Sequence, residues 1–147
     1  MIFIFIGFIL GMKYSNKEII KMSNISSKHW KLYEIAIRWI RSQENIERYI
    51  VQNEYKRVCI YGMSHLGDCL TDALRKAGIE VVYGIDKNAD KLYNQYIPIY
   101  KLSDNLPTAD LIIVTTIMHF EEIKSELEKK FEKEISIVSL EEVLAEA

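Results

Sequence analysis

The chain has 147 residues, 49% of them hydrophobic and 27% charged, with a formal net charge of −2. Those values fit one ordinary globular domain, or one small domain with an appendage, with an expected core. Lysine and glutamate are dispersed, and no basic stripe marks nucleic acid as a partner.

Residues Met1 to Leu10, MIFIFIGFIL, are apolar throughout, and the first charge is Lys13. Ten residues are too few to span a bilayer as a helix, which needs about 20. No basic n-region or small-residue cleavage site marks a signal peptide. Three readings stay open: a start upstream of a native one at Met12 or Met22, an interfacial anchor giving peripheral membrane contact, or a segment docking on a partner. From Asn16 to about Asn53 the pattern is helical. Asn24 or Ser26 is placed to cap a helix over 28–41, where Trp30, Tyr33, Ile37 and Ile40 make one stripe, broadened by Leu32, Ala36 and Trp39. After Gln43-Glu44-Asn45, a shorter helix is expected from Ile46 to Val51 or a little beyond. The expected organisation is an apolar segment (1–15), a helical arm (16–54) and a sheet domain (55–147).

The sheet domain opens on RVCIYGMSHLGDCLTDALRKAGIEVVYGID, residues 57–86. Val58, Cys59, Ile60 and Tyr61 form a short apolar run ending at glycine, the signature of a strand buried on both faces. Leu66, Leu70, Ala73, Leu74 and Ala77 then recur at three- and four-residue steps, one stripe of a helix. Gly78 falls where a left-handed residue ends it. Ile79, Val81, Val82 and Tyr83 make a second strand, closing on Gly84-Ile85-Asp86. The turn Gly62-Met63-Ser64-His65-Leu66-Gly67 reads G-x-S-x-x-G. In such turns the first glycine permits the bend and the last lets helix and strand approach, while the helix N-terminus receives phosphate charge. A serine stands at the second glycine position. Its Cβ crowds a dinucleotide, and its hydroxyl is a possible phosphate donor. Asp86 follows Gly67 by 19 residues, where a carboxylate accepts from a ribose diol.

Beyond Asp86, Lys87-Asn88-Ala89-Asp90 reads as a polar turn or short helix. Ile97-Pro98-Ile99-Tyr100 is a brief extended piece, placed by its proline at the start or edge of a strand. Leu111 to Thr116 is the clearest buried strand. Phe120, Ile123, Leu127 and Phe131 mark an amphipathic helix, with Glu121 and Glu122 in its first turn and Lys129 and Lys130 in its last. Ile135 to Val138 is a last short strand, and Ser139 with Glu142 spells a capping box for a terminal helix. The expected fold is α/β: a Rossmann-like parallel sheet of about five strands, order 3-2-1-4-5, with helices on both faces, preceded by the helical arm.

The pieces VCIYGMSHLGDCL, VYGIDKNAD, IPIYKLSDNLPTADLIIVTT and ISIVSLEEVL lie within Lys56 to Leu144, about 60% of the chain. This segment resembles the small Rossmann-like nucleotide-binding domain of bacterial surface-polysaccharide (capsule or glycan) biosynthesis. That domain occurs alone beside glycosyltransferases or as the N-terminal domain of membrane-linked nucleotide-sugar epimerase/dehydratase proteins. The resemblance implies a nucleotide edge at Gly62, Ser64, Gly67 and Asp86, with Thr115 and Thr116 on the neighbouring strand end. Family members commonly carry glycine where this chain has Ser64. With the rest of the turn, the expected cofactor-binding set is Gly62, Met63, Ser64, His65, Leu66, Gly67, Asp86, Lys87, Thr115 and Thr116, and the expected ligand is NAD(H) or a nucleotide-sugar.

His65 and His119 are the candidates for proton transfer, set against the alternative of two solvated loop histidines. The Tyr-x-x-x-Lys spacing from Tyr83 to Lys87 lies at the end of the second strand and carries no catalytic weight. Cys59 and Cys69 form no C-x-x-C pair and lack histidines at metal spacing, so reduced thiols and no metal are expected. Three functions compete: an accessory nucleotide-binding module for glycan synthesis; a small oxidoreductase or sugar-nucleotide-modifying enzyme completed by a partner; and a scaffold whose helical arm docks on a glycosyltransferase or on a second copy. The expected location is the cytoplasm, with peripheral membrane contact through 1–10 left open.

Overall fold

A computed structural model of the chain describes residue 27 and residues 46–132 and 135–145. The apolar segment 1–15, the expected helix 28–41 and its connection 43–45 lie outside these residues. Residues 46–52 are helical, and Ile46 and Ile50 are buried, as their four-residue step requires.

Five parallel strands follow: β1 (Arg57–Tyr61), β2 (Glu80–Ile85), β3 (Ile99–Tyr100), β4 (Leu111–Val114) and β5 (Ser136–Ser139). Their order is β3-β2-β1-β4-β5. This is the Rossmann-like α/β arrangement expected of the sequence. The two most apolar runs, Val58–Tyr61 and Leu111–Val114, lie side by side, and every one of their side chains is buried. That burial explains why neither run alternates with polar residues. The register between β1 and β2 slips once, from Val58–Val81 to Cys59–Tyr83, which sets Gly84 beside Ile60 and Ile85 beside Tyr61.

Helix α1 (His65–Lys76) links β1 to β2, and α2 (Phe120–Lys130) links β4 to β5. Cys59, Tyr61, Tyr83, Ile85, Ile112 and Val114 form one core face, which Ile123 and Leu127 of α2 cover. Alternation turns Val58, Ile60, Leu111 and Ile113 to the other face. Helix α1 ends at Gly78, whose φ is +77°. The Gly78 N–H donates to Arg75 O and the Ile79 N–H to Leu74 O, the paired bonds of a Schellman close. Helix α3 (Leu140–Ala145) opens on the expected capping box: Ser139 N–H donates to Glu142 Oε2 at 2.8 Å, and Glu142 N–H to Ser139 Oγ at 3.0 Å.

No α-helix crosses from β2 to β3. A 3-10 turn (Ala89–Lys91) leads into an irregular strap, residues 92–98, that lies along α1. Asn94 Nδ2 donates to Asp68 Oδ1 at 2.9 Å in the first turns of α1, and the Arg75 guanidinium near its end stands 3.5 Å over the Tyr96 ring. Asn94 Oδ1 accepts from Tyr96 N–H and Ile97 N–H, which bends the strap so that Ile97 is buried. Among the described residues no helix is long and apolar enough to cross a membrane.

At the opposite, amino edge of the sheet, Asp110 ties β4 to β1. Its carboxylate accepts from Lys56 N–H, Arg57 N–H and Arg57 Nη2, the last two at 2.9 Å. The Arg57 side chain and backbone donors hold the Asp110 carboxyl below its ordinary value. A depressed carboxylate stabilises the fold above the unfolded pKa, about 4, and that contribution fades as pH falls through the folded value. Asp110→Asn is therefore expected to flatten the acid limb of a stability-against-pH curve below about pH 4. An unchanged acid limb in urea titrations would refute this role.

Tyr83 is fully buried, and its hydroxyl makes no hydrogen bond of normal geometry. The polar group beside it is the Cys59 thiol, a weak partner. Burial pushes both groups' pKa values up, so both stay protonated at neutral pH. Removing an unsatisfied buried hydroxyl while keeping the ring should cost nothing. Tyr83→Phe is expected to leave stability unchanged or raise it by up to about 1 kcal/mol. A loss above that size in urea melts would reveal a bonded hydroxyl. Its burial also removes Tyr83 from any catalytic pairing with Lys87.

Candidate functional site at the carboxyl edge of the sheet

The chain leaves β1 at Gly62, whose φ of +92° is a conformation that side chains disfavour. A Cβ there would stand 2.5 Å from Thr115 Oγ1 and 2.6 Å from Thr116 Oγ1. Glycine is thus required twice, for the bend and for the approach of the β4 end. Thr115 explains the closeness. Its hydroxyl sits within bonding distance of two carbonyls, Gly62 O at 2.7 Å and Tyr61 O at 3.1 Å, and its N–H donates to Tyr61 O. With only one proton and 94% of its surface buried, Thr115 latches the turn to β4 and has little left for a ligand. Thr116 is half-buried and lies at the mouth of the turn.

Gly67 shows why the last glycine of the turn is small. A Cβ there would lie 2.3 Å from Gly62 O, so α1 starts in direct contact with the end of β1. Met63 is buried, and its Cγ and Sδ lie 2.5 and 2.6 Å from where a Cβ on Gly84 would be. Its side chain therefore fills the space above β2, while its backbone faces the carboxyl edge.

Asp86, after β2, reaches back to the same turn. Its Oδ2 accepts from Met63 N–H at 2.9 Å and its Oδ1 from Asn88 N–H at 2.8 Å. The carboxylate is fixed by one bond per oxygen, and each oxygen keeps further acceptor capacity. Lys87, the next residue, is exposed. Tyr61, at the end of β1, is 4% exposed; burial raises its phenol pKa first, with Glu126 and Asp86 adding to it. Tyr61 is a core residue, as the apolar run ending at Gly62 requires, and it closes the core face beneath this edge.

Ser64 is the N-cap of α1, with φ −75° and ψ −169°, an extended conformation open to any residue. Its hydroxyl makes no capping bond and its side chain is exposed. The first backbone bond of the helix runs from Asp68 N–H to Ser64 O. The N–H groups of Ser64, His65, Leu66 and Gly67 have no partner among the described residues. His65 is exposed, with Nε2 3.9 Å from Cys69 Sγ.

His119 ends the 3-10 turn Ile117–His119 that follows β4, exposed and with Nδ1 3.6 Å from Glu122 Oε2. It borders a cavity of about 310 Å3 at the carboxyl ends of β4 and β5. Ile117, Met118 and Phe120 form the apolar wall of that cavity. Glu121 and Glu122 reach it from α2, and Ser139 and Glu141 from the β5–α3 junction. A second cavity, about 370 Å3, is formed by the strap residues between Leu92 and Ile99. Neither cavity touches Gly62, Ser64, Gly67 or Asp86. Among the described residues no three His, Cys, Asp or Glu side chains are grouped to hold a metal ion.

The expected set is therefore gathered in part. Gly62, Met63, Asp86, Thr115 and Thr116 meet directly, and Ser64 to Gly67 continue the same turn. Comparison with protein-family models, curated proteins and solved structures finds no match for the chain.

Proposed function

We propose that the carboxyl edge around Gly62 and Asp86 binds a phosphate-bearing nucleotide, NAD(H) or a nucleotide-sugar, as an accessory module without turnover of its own. The observation that carries this reading is the pairing of two opposite features on one turn. Four N–H groups, Ser64 to Gly67, have no partner among the described residues; they head the 12-residue helix α1 and favour an anion. Asp86, bonded to Met63 N–H one residue before them, offers spare acceptor capacity for a ribose diol. Ser64 supports the reading as well, because its hydroxyl is exposed and unspent beside those donors. Service in glycan assembly is supported by the resemblance of the quoted segments to the polysaccharide-biosynthesis domain.

A thermal-shift panel with NAD(H), NADP(H), UDP-sugars and GDP-sugars tests this. A ligand held at a hundred times its Kd adds about 2.7 kcal/mol to the folded state, a rise of several degrees in Tm. The rise should vanish in Asp86→Ala. Because Asp86 also caps the turn, Asp86→Asn serves as a control that keeps an acceptor for Met63 N–H and a fold of near-native stability. No shift with any nucleotide at millimolar concentration would sink the proposal.

A further inference from the structure

We infer that the cavity at the carboxyl ends of β4 and β5 receives the uncharged or cationic, hydrogen-bond-donating end of the ligand whose phosphate rests on the glycine turn. The chemical class is a hydroxyl-rich or ammonium-bearing group joined to a nucleoside diphosphate. The inference rests on the reading of the turn given above and extends it to what the phosphate carries.

Three observations lead to it. The first is size: about 310 Å3 falls at the lower end of small-molecule sites, room for one compact group. The second is the sign of the lining. Glu121, Glu122 and Glu141 supply carboxylates, and neither lysine nor arginine lines the cavity. Such a wall repels phosphate and carboxylate groups, whereas hydroxyl and ammonium donors form short charge-assisted bonds to it. Met118, 48% exposed, and Phe120 add an apolar surface for the carbon skeleton of the same group. The third is position. Ile117, the first residue of the wall, directly follows Thr116, whose hydroxyl closes on Gly62. The glycine turn that opens α1 and the negative cavity thus both lie at the carboxyl edge of the sheet, with the end of β4 between them. A ligand anionic at one end and donor-rich at the other satisfies both, and a ligand anionic at both ends does not.

The test uses the full chain and isothermal titration with UDP, UDP-glucose, CDP and CDP-ethanolamine. At least one of the two conjugates should bind about tenfold more tightly than its parent diphosphate. In Glu121→Gln/Glu141→Gln that advantage should fall below about twofold, while the parent diphosphate binds as before. The glucose arm winning identifies a hydroxyl-rich group, and the ethanolamine arm an ammonium. Equal affinity of conjugates and parents, or an advantage that survives the double substitution, overturns the inference and leaves the turn as a nucleotide site. Nuclear magnetic resonance of the His119 ring protons, with methyl glucoside or ethanolamine alone, separates the remaining cases. If no diphosphate binds but these shift His119 in wild type and not in the double variant, the turn reading fails and the cavity stands. If nothing binds and nothing shifts, both fall.

Discussion

Gly62→Ala is expected to remove on the order of 3–5 kcal/mol of folding stability, a large share of the 5–15 kcal/mol typical of a domain. Two costs combine. A φ of +92° strains an L residue by about 1–2 kcal/mol. The new methyl would also stand 2.5 Å from Thr115 Oγ1, displacing a buried hydroxyl from the carbonyls of Tyr61 and Gly62. Leaving such groups unpaired costs about 1–3 kcal/mol. Urea denaturation of the full chain reads the sum. Thr116→Ala removes the second colliding hydroxyl, so the double variant should recover about 1 kcal/mol, a non-additivity expected only of groups in contact. Strict additivity, or a loss under about 1 kcal/mol, would mean the turn does not close on β4 as described.

Gly67→Ala is the sharper case, because helix propensity argues the other way. Alanine favours a helix interior over glycine by about 1 kcal/mol, and Gly67 has no positive φ to relieve. Yet its Cβ would lie 2.3 Å from Gly62 O and 3.1 Å from Gly62 C, both backbone atoms of a turn already latched by Thr115. Backbone cannot step aside as a side chain can. We expect a net loss of about 2–4 kcal/mol, comparable to overpacking a core, together with displacement of the α1 N-terminus and loss of the proposed nucleotide binding. Gly84→Ala makes the comparison. Its obstacles are atoms of the flexible Met63 side chain, so its loss should be smaller by at least about 1 kcal/mol. A Gly67→Ala protein as stable as wild type would contradict the contact between helix and strand.

Much of this architecture was legible in the residues. Val58–Tyr61 and the run from Leu111 declare themselves because a strand buried on both faces must be apolar at every position, although the second strand, expected to reach Thr116, ends at Val114. Gly78, and Ser139 with Glu142, were readable because caps are local chemistry, settled within a few residues. Thr115 and Thr116 were not separable. Which hydroxyl turns inward depends on the register of β4 against β1, Val114 beside Tyr61, and a linear pattern does not contain it. The strap over 92–98 escaped for another reason. Asn94 and Tyr96 hold it to α1 through one hydrogen bond and one cation–ring contact, with no periodicity to detect. The cavity of His119 and Glu141 joins residues more than 20 positions apart, brought together only by the β4–β5 pairing.

The most direct measurement is a nitrogen–proton correlation spectrum of the full chain titrated with the nucleotide that raises Tm most. The expected result is that the amide signals of Ser64, His65, Leu66 and Gly67 move together and saturably, and that Asp86→Ala abolishes the movement. Saturable binding that leaves those four amides unmoved, while shifting signals elsewhere, would contradict a phosphate at the head of α1.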